Sequence, residues 1–126
     1  MLRKTAEYAL RAAVWLGREP QQSESADHLA ERTKVPRRYL HKVLQDLVRA
    51  KLVRSQSGPR GGYARTKSPE RITVLQGVNA VAPLERIRHR PMGLPSHTKL
   101  RPLHPELDRV YTATEEALAR VTIAEL

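Results

Sequence analysis

The sequence contains no cysteine. That absence removes disulfides, thiolate-bound zinc and cysteine-ligated iron–sulfur clusters together. It leaves the redox compartment open, with a reducing cytoplasm the plain expectation. Long apolar runs are missing too. The longest uncharged stretch, Ile72 to Leu84, falls well short of the ~20 residues that a bilayer-spanning helix needs. The opening residues MLRKTAEYALRAAVWLG begin basic and continue apolar, as a signal peptide would. Glu7 and Arg11 interrupt that run, however, and no small-residue cleavage site follows it. The expectation is a soluble cytoplasmic chain with no membrane association. Catalytic groupings are also lacking. No nucleophile, base and orienting group form a set, and no paired carboxylates stand out. Gly58 to Gly62 lacks the lysine and the spacing of a P-loop. Neither an enzyme nor a cofactor is expected.

What is present is positive charge, unevenly placed. The 126 residues suffice for one core and carry a formal net charge of +10. From Met1 to Arg71 there are 16 Lys and Arg against 7 Asp and Glu, a net of +9; from Ile72 to Leu126 there are 7 against 6, a net of +1. A field confined to one half favours a polyanionic partner, nucleic acid or an anionic surface, through steering and counterion release. The alternative is charge that merely solubilises.

The periodicity predicts a mainly helical chain with one hairpin. Thr5 to Arg18 places Ala6, Ala9, Leu10, Ala13 and Leu16 on one stripe, with Thr5 as candidate N-cap. Ser25 can cap a short helix from Ala26 to Arg32, and Pro36 suits the first position of the next, Pro36 to Ala50. In that third helix Leu40, Val43, Leu44, Leu47 and Val48 form a core-facing stripe. The opposite face carries Arg38, His41, Lys42, Gln45 and Arg49. Such a face is usually just solvated. Here Arg37 and Arg38 crowd the first turn, where they oppose the helix dipole, and a bound phosphate would compensate them.

Leu52 to Ser57 reads as a strand, Gly58-Pro59-Arg60-Gly61-Gly62 as a turn, and Tyr63 to Arg65 as the returning strand. The hairpin is either an ordinary exposed one or a wing presenting Arg54, Arg60 and Arg65. Thr73 can cap a helix from Val74 to Val81. Residues 82 to 102 hold Pro83, Pro91, Pro95 and Pro102 without periodicity. A last helix, Pro105 to Val121, repeats Leu107, Tyr111, Thr114, Leu118 and Val121 at coiled-coil spacings, two heptads that suit packing against a second copy in a homodimer.

Two helices joined by a short turn, the second basic on its open face, followed by a glycine-rich basic hairpin, spell a winged helix-turn-helix. The expected partner is double-stranded DNA, with the third helix in the major groove. Arg37, Arg38, Tyr39, Lys42 and Gln45 are the candidate contacts there. Arg60 would reach a narrow minor groove, with Gly61 and its neighbouring glycines letting the wing backbone come close. Residues 1–82 would form the DNA-binding domain, 83–104 a proline-rich sensor-type loop, and 105–126 the dimerisation helix and tail.

The segments TAEYALRAAVWLG and LAERTKVPRRYLHKVLQDLVRAKLVRSQSGPRGGYARTKSPERITVLQGVNAV resemble the Rrf-two family of winged-helix transcriptional regulators, in particular its IscR- and NsrR-like members. The resemblance covers nearly the whole chain and is most specific in VPRRYLHKVLQDLVRAKLVRS and GPRGGY. It implies a homodimer on a palindromic operator, with repression the expected outcome. It also implies that Thr5 and Tyr8 touch the DNA backbone. The loop IRHRPMGLPSHTKLRPLHPELD departs from the family. It is similar to a pattern Cys-Pro-x-Gly…Ser-His…Cys-Pro-Leu-His, but Arg90 and Arg101 stand at the cysteine positions. Arginine stays protonated and offers a metal no lone pair. His89, His97 and His104 remain there at irregular spacing, more in keeping with loop packing than with a metal site. Two readings compete with specific DNA binding: an adaptor that kept the winged fold but acts through protein–protein contacts, and a non-specific nucleic-acid binder.

Overall fold

A computed structural model describes residues 3–18, 22–83 and 102–126. Arg90 and Arg101, with His89 and His97, lie outside the described residues.

The first helix, α1 (Lys4–Arg18), is central. Its buried stripe is Ala6, Ala9, Ala12, Ala13 and Leu16. Four one-methyl side chains let other helices approach its axis closely, and α3 (Arg37–Arg49) and α4 (Val74–Val81) both pack on it. Gly77 of α4 continues that economy of bulk, because a Cβ there would stand 3.2 Å from Leu10 Cδ2. Lys4 opens the helix, so Thr5 sits inside the first turn rather than at the cap.

Helix α2 (Ala26–Thr33) starts at Ser25, whose hydroxyl accepts from the His28 amide at 3.1 Å. Lys34 ends it in the left-handed region, φ 60°, with its amide returned to the Ala30 carbonyl. Val35, 2% exposed, is thereby turned into the core. Pro36 caps α3 (Arg37–Arg49), one residue before the first-turn position the sequence suggests. Its carbonyl accepts from the Tyr39 and Leu40 amides, both at 2.9 Å. Leu40, Val43, Leu44 and Leu47 are buried as their spacing requires, and Val48 packs partly against them.

Strands β1 (Val53–Gln56) and β2 (Gly62–Arg65) pair antiparallel, with Val53 opposite Arg65 and Gln56 opposite Gly62. Glu24, from the segment before α2, adds one bridge to this hairpin. It exchanges both backbone hydrogen bonds with Tyr63, at 2.9 and 2.8 Å. That contact fixes Gly62, where φ is 150° and a Cβ would lie 2.3 Å from the Glu24 carbonyl oxygen.

A 3₁₀ turn (Pro69–Arg71) leads to α4 (Val74–Val81). Thr73 and Gln76 form a full capping box at its start. Helix α5 (Leu103–Ala119) begins and ends two residues earlier than its periodicity suggests. The chain then turns back. Ile123 donates to the Ile72 carbonyl at 2.8 Å, Val74 to the Val121 carbonyl at 2.8 Å, and Ile123 is only 2% exposed. The tail therefore closes the same core that α1 and α3 build. Three helices followed by a two-stranded hairpin make this a winged helix-turn-helix, the class the sequence predicts.

Candidate nucleic-acid interface

Burying Leu40, Val43, Leu44 and Leu47 forces the other face of α3 outward, and Arg37, Arg38, Tyr39, His41, Lys42, Gln45 and Arg49 are all exposed. The first turn holds no acidic residue. Arg37 forms an ion pair with Asp27 of α2, but both side chains are about two-thirds exposed. Such a pair is worth ~0–1 kcal/mol, so Arg37 remains available to a stronger anion.

Beside it stands an aromatic and cationic stack. The Tyr8 and Tyr39 rings lie 5.8 Å apart, centre to centre, at 33°. The Arg38 guanidinium sits 4.7 Å above Tyr39 and donates from Nη2 to the Tyr39 hydroxyl at 3.1 Å. Arg11 lies 5.8 Å over Tyr8. Tyr8 of α1 and Tyr39 of α3 are thus brought together, with Thr5 one turn before Tyr8. The stack restrains Arg38, which lowers the entropy lost when it binds.

Further along α3 the electrostatics change. Asp46, 7% exposed, faces Lys42 at 3.4 Å and Arg49 at 3.2 Å. Gln45 Nε2 lies 3.2 Å from His41 Nε2. The free positive charge of α3 is therefore concentrated at its N-terminal end. Asp46 is not among the candidate contacts that the sequence patterns single out, although its spacing from Lys42 and Arg49, four and three residues, is a recognisable helix pairing signal.

In the wing, Arg54 and Arg60 are exposed while Arg65 is half-buried, and Arg65 Nε has no hydrogen-bond partner among the described residues. Gly61 closes the turn with a 2.9 Å bond to the Gly58 carbonyl, and a Cβ on it would stand 2.2 Å from the Gln56 carbonyl oxygen. The turn itself therefore requires glycine at position 61, whatever the wing approaches.

Helix α5 contrasts with α3. Leu107, Tyr111, Thr114, Leu118 and Val121 are all half-buried. Leu118 and Val121 rest partly against the chain's own core. Leu103 and Val110, 50% and 54% exposed, add apolar surface to the same helix.

Comparison with known proteins places this arrangement. The Rrf2 family, described as iron-dependent transcriptional regulators, matches residues 2–126. The chain belongs to the Rrf2 family. It is 38% identical over 74 residues to a Rhodopseudomonas palustris protein named as the HTH-type transcriptional regulator BadM, covering 59% of this chain and 47% of that one. An Aquifex aeolicus HTH-type regulator is 36% identical over 70 residues, 56% of this chain and 49% of its own. The chain spans about half the length of these curated relatives. Among solved structures, CymR, the global cysteine regulator of Bacillus subtilis, superposes with a TM-score of 0.75 at 19% identity, covering 99% of this chain and 94% of its own. IscR of T. potens gives 0.73 at 24% identity, with 99% and 84% covered. These structures share the winged-helix fold. The family and the named relatives are regulators of transcription, not enzymes.

The family description implies iron, and the residues present do not fit a cysteine-ligated cluster. Such clusters are held by thiolates, and this chain has none. Among the described residues, no three His, Asp or Glu side chains gather closely enough to hold a metal ion. Among the described residues, no helix is long and apolar enough to cross a membrane.

Proposed function

We propose that this chain regulates transcription in the cytoplasm, acting as a homodimer that binds a palindromic DNA operator and represses the adjacent promoter. One observation carries the reading: the exposed first turn of α3 offers Arg37, Arg38 and Tyr39, with Lys42 and Gln45 a turn further on and no acidic residue in that turn. α3 enters the major groove with this end leading. Arg38, restrained on Tyr39, is the first choice for a guanine edge, while Arg37 and Lys42 serve phosphates. Thr5 and Tyr8 meet the backbone beside α3, and Arg60 on the wing enters the minor groove with Gly61 holding the turn.

Leu107, Tyr111 and Thr114 on α5 form the seam between two copies, extended by Leu103 and Val110, and Leu118 and Val121 anchor the seam to each core. Residues 1–82 form the DNA-reading unit and 105–126 the dimerising one, with Val121 and Ile123 of the latter packed into the core of the former. With no cysteine in the chain to ligate a cluster, and arginine at 90 and 101 where the family resemblance would put cysteine, control does not run through iron–sulfur chemistry.

An electrophoretic shift tests the reading directly. A duplex from the region upstream of the chain's own gene should be bound in preference to an unrelated duplex, with a dimer's mass in the shifted complex. Equal binding to both duplexes would contradict it in favour of a non-specific binder. Binding to neither would favour the adaptor.

A further inference from the structure

Away from α3 and the wing, α1, α2 and Leu126 of the tail line an open groove of about 400 Å³. That volume falls within the range of small-molecule sites, roughly 300–1,000 Å³. Leu10, Val14 and Trp15 supply an apolar lining, and Arg11, Arg18 and Arg32 stand among it. The three cations are not equivalent. Arg11 is engaged by Glu7 at 2.7 Å and reaches the Thr33 carbonyl at 3.5 Å. Neither Arg18 nor Arg32 pairs with a carboxylate among the described residues. Arg32 is nonetheless held in place: its guanidinium lies 5.6 Å over the Trp15 ring, and its Nε donates to His28 Nε2 at 3.1 Å. Since Nε2 accepts, the proton of a neutral His28 ring sits on Nδ1, which faces Glu24 Oε2 at 3.6 Å.

An oriented cation beside an apolar wall, with a second cation lining the same groove, matches an anion that carries a hydrocarbon body. We propose that this groove binds an organic carboxylate with a medium-length apolar chain. The chain lies on Leu10, Val14 and Trp15, and the carboxylate sits between Arg18 and Arg32.

The groove is also wired to the wing. Trp15 Nε1 donates to Glu24 Oε2 at 2.7 Å. Glu24, 9% exposed, is the residue whose backbone pairs with Tyr63 at the wing root and whose carbonyl fixes Gly62. A ligand packed on Trp15 displaces the indole or locks it, and the 2.7 Å bond carries that change through Glu24 to β2, which pairs with the strand bearing Arg54 and follows the turn bearing Arg60. This second step rests on the DNA-binding reading above; the ligand site does not.

Trp15 is the only tryptophan, so its fluorescence reports the groove directly. Titration of the full chain with octanoate should give a saturable change in emission. Octanamide, which has the chain without the charge, and inorganic phosphate, which has the charge without the chain, should give none. Arg18→Gln and Arg32→Gln should each weaken octanoate about tenfold, as loss of one charge-assisted hydrogen bond does, with circular dichroism unchanged because both side chains are exposed. In a separate arm, octanoate should shift the midpoint of duplex binding for the unaltered chain but not for Trp15→Phe, which keeps the apolar wall and loses the bond to Glu24. An absent octanoate response, an equal response to octanamide, or indifference to both arginine changes would overturn the site. Octanoate binding that leaves duplex affinity unmoved would overturn the link to the wing. Octanoate binding by a chain that binds no duplex would leave the site standing and refute the DNA reading instead.

Discussion

Helices α3 and α5 are of comparable length, 13 and 17 residues, yet only α3 has fully buried side chains. Leu40, Val43, Leu44 and Leu47 seat α3 on the core, which leaves its polar face committed to the outside. α5 buries none of its residues fully and leaves Leu103 and Val110 about half exposed. A helix that satisfies its apolar stripe within its own chain is free to present charge to another molecule. A helix that does not still needs a second surface to cover its stripe. The contrast separates the part of the fold that reads from the part that joins.

Core substitution in α3 should give the largest effect. Leu44→Ala removes a fully buried side chain and should cost about 2–5 kcal/mol, read as a large fall in the thermal unfolding midpoint. If unfolding were unaffected, α3 would not be seated as described. The matching change on α5 should behave oppositely. Leu107→Asp or Val110→Asp should leave the circular dichroism spectrum intact and shift the chain from dimer to monomer in sedimentation, with loss of palindrome binding. Leu118→Asp is a poorer probe, because Leu118 packs partly on the chain's own core and its loss would disturb folding as well. A fully dimeric Leu107→Asp would remove α5 from the interface.

Smaller effects sharpen the electrostatic side. Arg38→Ala should weaken operator binding by about 1–3 kcal/mol and relax preference at one base pair. Arg60→Ala should weaken it less while leaving stability unchanged, since the wing tip is exposed. Asp46→Asn should act in the other direction. It frees Lys42 and Arg49, so affinity for any duplex should rise a few-fold with a steeper dependence on salt. Unchanged affinity would mean that these two cations never face DNA. Smallest is Thr73→Ala, which deletes the cap of α4 and should cost about 1 kcal/mol in denaturant unfolding, with DNA binding unaltered.

Much of this was legible in the sequence where local rules decide structure. The α3 stripe, the Ser25 and Thr73 caps and the glycine-marked hairpin each depend on residues within a few positions of one another. Boundaries moved by one or two residues where capping chemistry was silent: Lys4 rather than Thr5 opens α1, and Pro36 precedes α3 rather than joining it. What stayed hidden is tertiary. No local pattern tells that Glu24 bridges Tyr63, that Trp15 reaches Glu24, or that Ile123 returns to the core beside Ile72. Nor does composition explain why Lys34, a residue with no special taste for positive φ, ends α2 in the left-handed region; the burial of Val35 next to it gives the reason.

The measurement that bears most directly on the central claim is the salt dependence of duplex binding by fluorescence anisotropy. If the cationic end of α3 and the wing meet DNA in both halves of a dimer, about six to ten phosphates are neutralised, and affinity should fall by roughly 10³ to 10⁵ between 50 and 200 mM salt. Arg37→Ala should reduce the magnitude of that slope by about one phosphate for each subunit. An affinity nearly independent of salt, or a slope untouched by Arg37→Ala and Lys42→Ala together, would contradict the assignment of α3 as the DNA-reading element.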